Sequence, residues 1–565
     1  MKKILIGLSL AFMGLQSCDV LDRDPLGYYS DNVAYASIEN LDYYVKDLYQ
    51  SFHEYADIEK SIDVYDDAFS DLLKCSWASI AMGNQVNKFF YYNQGITADQ
   101  DFRTRWNQAY WHIRELNEFL VDMHNGLAGN LDPDKVAVRV AEVRVIRAFV
   151  YQELVKRYGG VVLRVSEEKV DDHLDRSKAR ASEAECWDFI INDLKNAAEV
   201  LPEQWKDQDG INNVGRITKG AAYGLMARAA LYAKRWDDAI NACNEVIKLE
   251  EKGVYSLLSK SQYNDIFTVP NNKELMLFVG YETKKLQHNF NLNCCPPYDY
   301  KEAGALKDFC GAAMTPTEEY ASQFDINVNG NWQSFSWDNV GQYPAGPWAN
   351  RDPRFYASIL YNGASWIKDR TLEVYTDGHD GIFEFKNDPA DDYKRKTCTG
   401  YYIRKFVKKD AGINFVDAQS DQFWIEMRLA EIYLIRSEAY ARKDKWTEAY
   451  MDLNKIRSRV GMPRLSQQPV WDAYLKDLEK ERICELGMEG HRFFDLVRWD
   501  KAVETLNGKR LHGVKIVKMP TGGFSYELME CDSQDRLFPK KYTVSPIPTA
   551  ELVANTLCEQ SDLWK

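Results

Sequence analysis

Any chemistry in this chain has to come from acids, amides and aromatic rings, because the compact catalytic patterns are missing. The sequence contains no GxSxG, HExxH, GxGxxG or phosphate-binding P-loop. Its eight histidines are scattered without metal-ligand spacing. The vicinal Cys294-Cys295 pair, with Cys310 nearby and His288 as the one convenient fourth ligand, lacks CxxC spacing and reads as free thiols rather than zinc. No cofactor and no metal is expected. Glycoside hydrolysis needs only two carboxylates across a bond, and 85 acidic residues leave that possibility open. The densest charged run is Glu481, Arg482, Glu485, Glu489, Arg492, Asp495 and Arg498. These residues fall at three- and four-residue steps, where opposite charges on a helix pair. The expectation is a buried ion-pair network that locks the last helices to the rest of the chain; the alternative is a catalytic carboxylate pair.

The aromatic content points to binding. The chain has 34 Tyr, 25 Phe and 15 Trp, 13% of all residues. Pyranose rings present apolar C–H faces and a rim of hydroxyls, so a glycan site needs exposed aromatic platforms beside amide or charged side chains. Two clusters have that composition without helical amphipathicity. The first holds Trp77, Phe89, Phe90, Tyr91 and Tyr92 with Asn84, Gln85 and Asn87. The second holds Trp332, Trp337, Tyr343 and Trp348, interleaved with Asn331, Gln333, Asn339 and Gln342. Candidate ligand-binding residues are therefore Trp77, Asn84, Asn87, Phe89, Tyr91, Trp332, Trp337, Tyr343 and Trp348. The competing reading is that loop aromatics anchor the loop that carries them.

The elements that must position these residues are helical. Apolar residues recur at three- and four-residue steps over 38–52, 106–120, 136–158 and 182–201. Two later segments look like copies of one helical hairpin. Ala221 to Leu249 contains Ala229-Ala230-Leu231-Tyr232-Ala233, a short turn and Trp236; Leu429 to Val460 contains Ser437-Glu438-Ala439-Tyr440-Ala441, a turn two residues longer and Trp446. Trp236 and Trp446 read as core. Between the copies, about 254–424, turn residues and aromatics dominate, with strand-like runs at Leu275 to Gly280 and Tyr401 to Val407. The last stretch, 501–565, reads as irregular. The predicted fold is mainly α: tetratricopeptide-like helical hairpins form a curved scaffold (about 35–253 and 425–500) around a loop-rich insertion with short strands, all in one domain over 35–565.

The N-terminus reads as a leader. Lys2 and Lys3 precede an apolar run from Ile4 to Gly14, too short to span a bilayer. It ends in Leu15-Gln16-Ser17-Cys18, similar to a bacterial lipobox, which makes 1–17 a signal peptide, Cys18 the lipid-attachment residue and 18–34 a tether. Several acyl chains on one residue make a durable anchor, at about 0.8 kcal/mol per buried methylene. The mature chain would carry 69 basic against 85 acidic residues, a net charge of −16. That balance argues against a nucleic-acid partner.

Taken in order, several segments resemble the SusD/RagB family of outer-membrane nutrient-binding lipoproteins. Trp106 to Asn117 resembles its early helix. Arg147-Ala148-Phe149 followed by Tyr158-Gly159-Gly160-Val161 resembles its RAF…GGVPL stretch, with Val162 where proline is usual. Ile217-Thr218-Lys219-Gly220-Ala221-Ala222 resembles its entry to the next hairpin, and Ser545-Pro546-Ile547-Pro548 its YPIP ending. Glu481 to Trp499 is close to ERRxELxxEGxRxxDLxRW, with Ile483 replacing one arginine. The resemblance implies a lipid-anchored glycan binder at the outer surface of the outer membrane. It also implies a TonB-dependent SusC-like transporter as partner, membrane contact through the lipid only, and no enzymatic activity. Peptide capture on the same fold, or surface glycoside hydrolysis, are the other readings.

Overall fold

The computed structural model describes residues 31–59, 65–76, 85–91, 95–101, 103–166, 177–206, 213–298, 311–381, 396–409 and 419–565. The leader, Cys18 and the tether up to residue 30 lie outside them, as do Trp77 and Asn84. Ten helices carry the scaffold: α1 Ile38–Leu48, α2 Trp106–His124, α3 Pro133–Tyr158, α4 Glu183–Val200, α5 Lys219–Tyr232, α6 Trp236–Glu251, α7 Leu429–Ala441, α8 Trp446–Arg459, α9 Trp471–Leu486 and α10 Arg492–Arg498. Their ends carry local signals. Asp132 caps α3 by accepting from the Asp134 and Lys135 amides, and Pro133 sits where its missing N–H costs nothing. Ser182 and Glu185 form a reciprocal capping box at α4. Thr218 caps α5.

Consecutive helices from α2 to α6 pack in series, and α6 then packs on α7, so the two predicted hairpin copies stand side by side although 177 residues separate α6 from α7. Helix α5 is buried on nearly all sides by small residues. A Cβ on its Gly224 would lie 3.0 Å from Met276 Cε and 3.1 Å from Met427 Cγ, so any larger residue would make the methionines of the neighbouring strands give way. The expected two-residue difference between the hairpin turns is overturned. Arg235 N bonds Ala230 O and Lys445 N bonds Tyr440 O, with Lys234 and Asp444 both at positive φ. The turns therefore superpose at a constant offset of 210 residues, and the aligned small-residue runs were slipped by two.

The motif residues of the early helices hold the scaffold together. Arg147 donates to Asn117 at 2.9 Å and is paired with Asp193 at 2.8 Å. A Cβ on Gly160 would fall 2.2 Å from the Ala181 carbonyl oxygen, and Gly159 before it takes a φ of +68°, which together explain the glycine pair after α3.

Five antiparallel strand pairs join the insertion, the C-terminal stretch and an N-terminal strand: β1 (Leu73–Cys75) with β3 (Met314–Pro316), β2 (Leu275–Val279) with β8 (Trp424–Arg428), β4 (Ile326–Val328) with β5 (Asn331–Gln333), β6 (Ile359–Leu360) with β7 (Tyr402–Ile403), and β9 (His512–Lys518) with β10 (Phe524–Glu530). The last pair is a hairpin of two seven-residue strands, where the sequence pattern predicts an irregular segment. Its alternating Val514 and Ile516 are fully buried, and Gly522-Gly523 supply positive φ at the turn. One large hydrophobic core runs through scaffold and insertion alike.

Candidate functional site

The charged motif is a structural knot. Glu481, Glu485 and Glu489 are buried, and each meets at least one guanidinium or ammonium. Arg428 bonds Glu274, Glu485 and Glu489 at 2.6–2.9 Å, Arg354 bonds Asp352 and Glu481, and Lys405 bonds Glu489 at 2.7 Å. Arg482 and Arg498 both hold Asp495, while Arg492 holds Asp71 and Glu479. Most pairs cross between elements, and few follow the helix steps. Three guanidinium groups keep Glu485 ionised far below the usual carboxylate range despite burial. Carboxylates so engaged are closed to substrate. His288 is also committed: one ring nitrogen faces Gln422 O at 2.8 Å and the other accepts from Phe290 N. Among the described residues no cluster of His, Cys, Asp and Glu is arranged to hold a metal ion.

The first aromatic cluster, where it is described, is core. Phe89 is completely buried between Phe69, Phe90 and Tyr542, with ring centroids at 4.7–5.1 Å, and the Arg103 guanidinium covers its face at 4.6 Å. The Tyr91 hydroxyl donates to Asp532 and accepts from Lys74, whose ammonium also donates to Asn87 at 2.8 Å. Lys74 and Arg536 each pair with Asp532 at 2.9 Å. Phe89, Tyr91 and Asn87 thus have their faces and polar atoms spent inside the protein and offer nothing to a sugar.

The second cluster is built differently. Arg351, buried, binds the carbonyls of Ala321, Phe324 and Pro347 and is capped by the Phe335 ring at 3.9 Å and the Phe355 ring at 4.7 Å. This pins the loop that carries the tryptophans. Tyr343 is buried, its hydroxyl returned to Ser336 O at 2.9 Å. Trp348 is nearly buried and backs the cluster, against Phe355, Tyr361 and Tyr401. Trp337 stays half-buried and meets Trp348 edge-on at 5.5 Å. Trp332, on β5, is also half-buried. Among the predicted ligand residues that are described, then, the structure joins Trp337 to Trp348 and leaves an open ring only at Trp332 and Trp337.

Sequence reasoning missed the partner of these rings. Tyr526 on β10 tilts onto Trp337 at 5.4 Å and reaches Trp348 at 6.1 Å. On the same strand face Phe524, 37% exposed, meets Tyr375 at 5.6 Å, beneath the Lys518 ammonium. The hairpin is the spine of this face. Thr376 N bonds Ile516 O at 2.8 Å, and Val514 N bonds Thr399 O at 2.9 Å. Nearby, the Tyr298 and His379 rings stand 4.3 Å apart, and Arg370 lies 5.0 Å over Tyr298 while pairing with Asp380. Asn331, Gln333, Asp338 and Gln342 are exposed along the tryptophan loop. The alternation of Phe524, Tyr526 and Leu528 was the signal that could have found the ridge.

Below the ridge lies Glu318, buried, accepting from the Tyr401 hydroxyl at 2.6 Å. Burial lifts its pKa to about 7 against that hydrogen bond. The resulting surface is a row of half-open rings on a rigid backing, flanked by amides. It can stack on flat apolar ligand faces and hydrogen-bond their rims.

A model of the family described as "SusD family" matches residues 274–564, just over half the chain. The chain belongs to the SusD family. A second model, described as "Starch-binding associating with outer membrane", matches residues 37–231. A SusD-like protein of Bacteroides ovatus is 22% identical, over 98% of this chain and 94% of its own length. Among solved structures, a SusD-like protein from Bacteroides fragilis aligns with a TM-score of 0.75 at 27% identity, covering 96% of this chain and all of that one. A laminarin-binding SusD-like protein aligns with a TM-score of 0.63 at 21% identity, covering 95% and 100% of the two chains. SusD membership accounts for the helical scaffold and for the ordered motifs along it. Among the described residues no helix is long and apolar enough to cross a membrane.

Proposed function

We propose that this protein captures oligo- or polysaccharide at the outer membrane and passes it, uncleaved, to a TonB-dependent SusC-like transporter. The observation that carries this reading is the ridge of half-open rings, Trp337, Tyr526, Tyr375 and Phe524, fixed on a hairpin and flanked by amides. The family description of starch binding in association with the outer membrane supports it, as does a structural relative that binds laminarin. Lipid attachment at Cys18 would hold the domain, residues 35–565, on the cell exterior. Trp332 remains a candidate contact. So does Trp77, because it follows Ser76, whose hydroxyl bonds Thr315 and Cys398 close to β9. Acids that could otherwise hydrolyse a glycosidic bond are, in the charged motif, buried against arginine.

The chain from Asp19 onward should be screened by calorimetry against polysaccharides and peptides, with each mixture assayed for cleavage. Binding to one glycan class without product, lost in Trp337→Ala or Tyr526→Ala and weakened in Trp332→Ala or Trp77→Ala, is the expected result. Product formation, or saturable binding to peptides alone, would overturn it.

A further inference from the structure

Nine cysteines fall within the described residues, and all are buried. Most stand apart, their thiols turned to a backbone carbonyl, as Cys243 is to Ile432 and Cys484 to Gln323. Cys398 and Cys531 are different. They form a small cluster with Leu511, separate from the main core, in which the Cys531 thiol donates to Leu511 O at 3.2 Å. Three backbone segments force this meeting. Cys531 N bonds Leu511 O at 2.8 Å, extending the β9–β10 ladder by one pair. Thr399, next to Cys398, lies so close to β9 that a Cβ on Gly513 would fall 2.5 Å from its Cα. On the other side Ser76 accepts from Cys398 N at 3.1 Å and donates to its sulfur at 3.2 Å.

We propose that Cys398 and Cys531 form a disulfide that staples the insertion to the C-terminal hairpin as the protein matures outside the cytoplasm. The maturation step rests on the extracytoplasmic reading of the leader; the pairing itself rests on geometry. The oxidant is a low-molecular-weight or protein disulfide. The Cys398 thiolate attacks one of its sulfurs, forming a mixed disulfide and releasing one thiol. The Cys531 thiolate then attacks the Cys398 sulfur and releases the second, so two protons and two electrons leave the protein. Because both sulfurs are buried, exchange belongs to folding, before the hairpin is seated. The bond would close a loop of more than a hundred residues, which constrains the unfolded chain strongly.

The test uses peptides that contain no other cysteine. Trypsin releases Cys398 within Thr397–Arg404 and Cys531 within Met519–Arg536. Full-length protein in detergent is reduced, unfolded and refolded in a glutathione redox buffer, trapped with a maleimide, and digested without reduction. The expected product is these two peptides linked, lost on reduction and absent in Cys531→Ser, with a thermal midpoint several degrees above that of the reduced protein. Recovery of both peptides as free thiols, or of Cys398 linked to another cysteine, would overturn the pairing. The same digest on protein trapped in intact cells should show the link; free thiols there, with the link formed in vitro, would overturn the maturation step while leaving glycan capture untouched.

Discussion

Two aromatic-rich segments of similar composition have opposite fates in this molecule. Residues 85–91 turn every described ring inward, and the polar atoms among them close on Lys74, Asp532 and Arg536. Residues 331–351 turn their charged anchor, Arg351, inward and keep Trp332 and Trp337 half-open. What separates them is the backing. The first lies between the N-terminal segment and the closing turn at Phe538 and Tyr542, so it is covered from both sides. The second is backed on one side only, by β10 and the Phe355 layer. Ring count therefore does not mark a binding face; one-sided support does.

The strongest way to break this comparison is to empty the buried segment. Phe89→Ala removes a fully buried ring, and a loss of about 3–5 kcal/mol in unfolding free energy is expected. Glycan affinity per folded molecule should stay within about twofold. Denaturant unfolding alongside calorimetry separates the two effects, and a specific loss of binding without destabilisation would place ligand on the first segment after all.

Much of this contrast was beyond the sequence. Helix positions followed from period and caps, because those are local: Asp132-Pro133 and Ser182 with Glu185 announce α3 and α4. The ion-pair knot was legible as charge at helical spacing, yet its partners Arg354, Lys405 and Arg428 come from the insertion and β8, which no local rule reveals. Phe89 and Trp337 look equivalent in a string of letters, since burial of a loop ring is decided by segments hundreds of residues away. Tyr526 escapes notice because the whole of 501–565 reads as irregular, although Val514 and Ile516 alternate and two glycines close the turn.

A smaller effect sharpens the other half of the comparison. Trp337→Ala takes away a ring that carries both an open face and the contact to Tyr526. Glycan binding should fall at least about tenfold, close to 1.4 kcal/mol, with little change in fold stability because the ring is only half-buried. Trp337→Phe should recover part of the affinity, since a platform survives. Equal losses for Ala and Phe would show that the indole N–H, rather than the ring face, is what matters.

The smallest effect expected is the one beneath the ridge. Glu318 has its folded pKa raised by burial to about 7, from the ordinary carboxyl value of 4.5. Between those two values the folded protein holds a proton that the unfolded chain has lost, so this group's contribution to stability falls as pH rises across the window and is flat above it. Ionisation places a charge under Trp337 and Tyr401, with Arg351 and Glu319 the other charged groups acting on it. Tryptophan emission should therefore titrate with a midpoint near 7, and glycan affinity should weaken across it by about two- to threefold, under 1 kcal/mol. Glu318→Gln keeps the shape and an acceptor for Tyr401 but cannot ionise, so both profiles should flatten. A midpoint that persists in Glu318→Gln would assign the titration elsewhere and leave the ridge resting on its apolar backing alone.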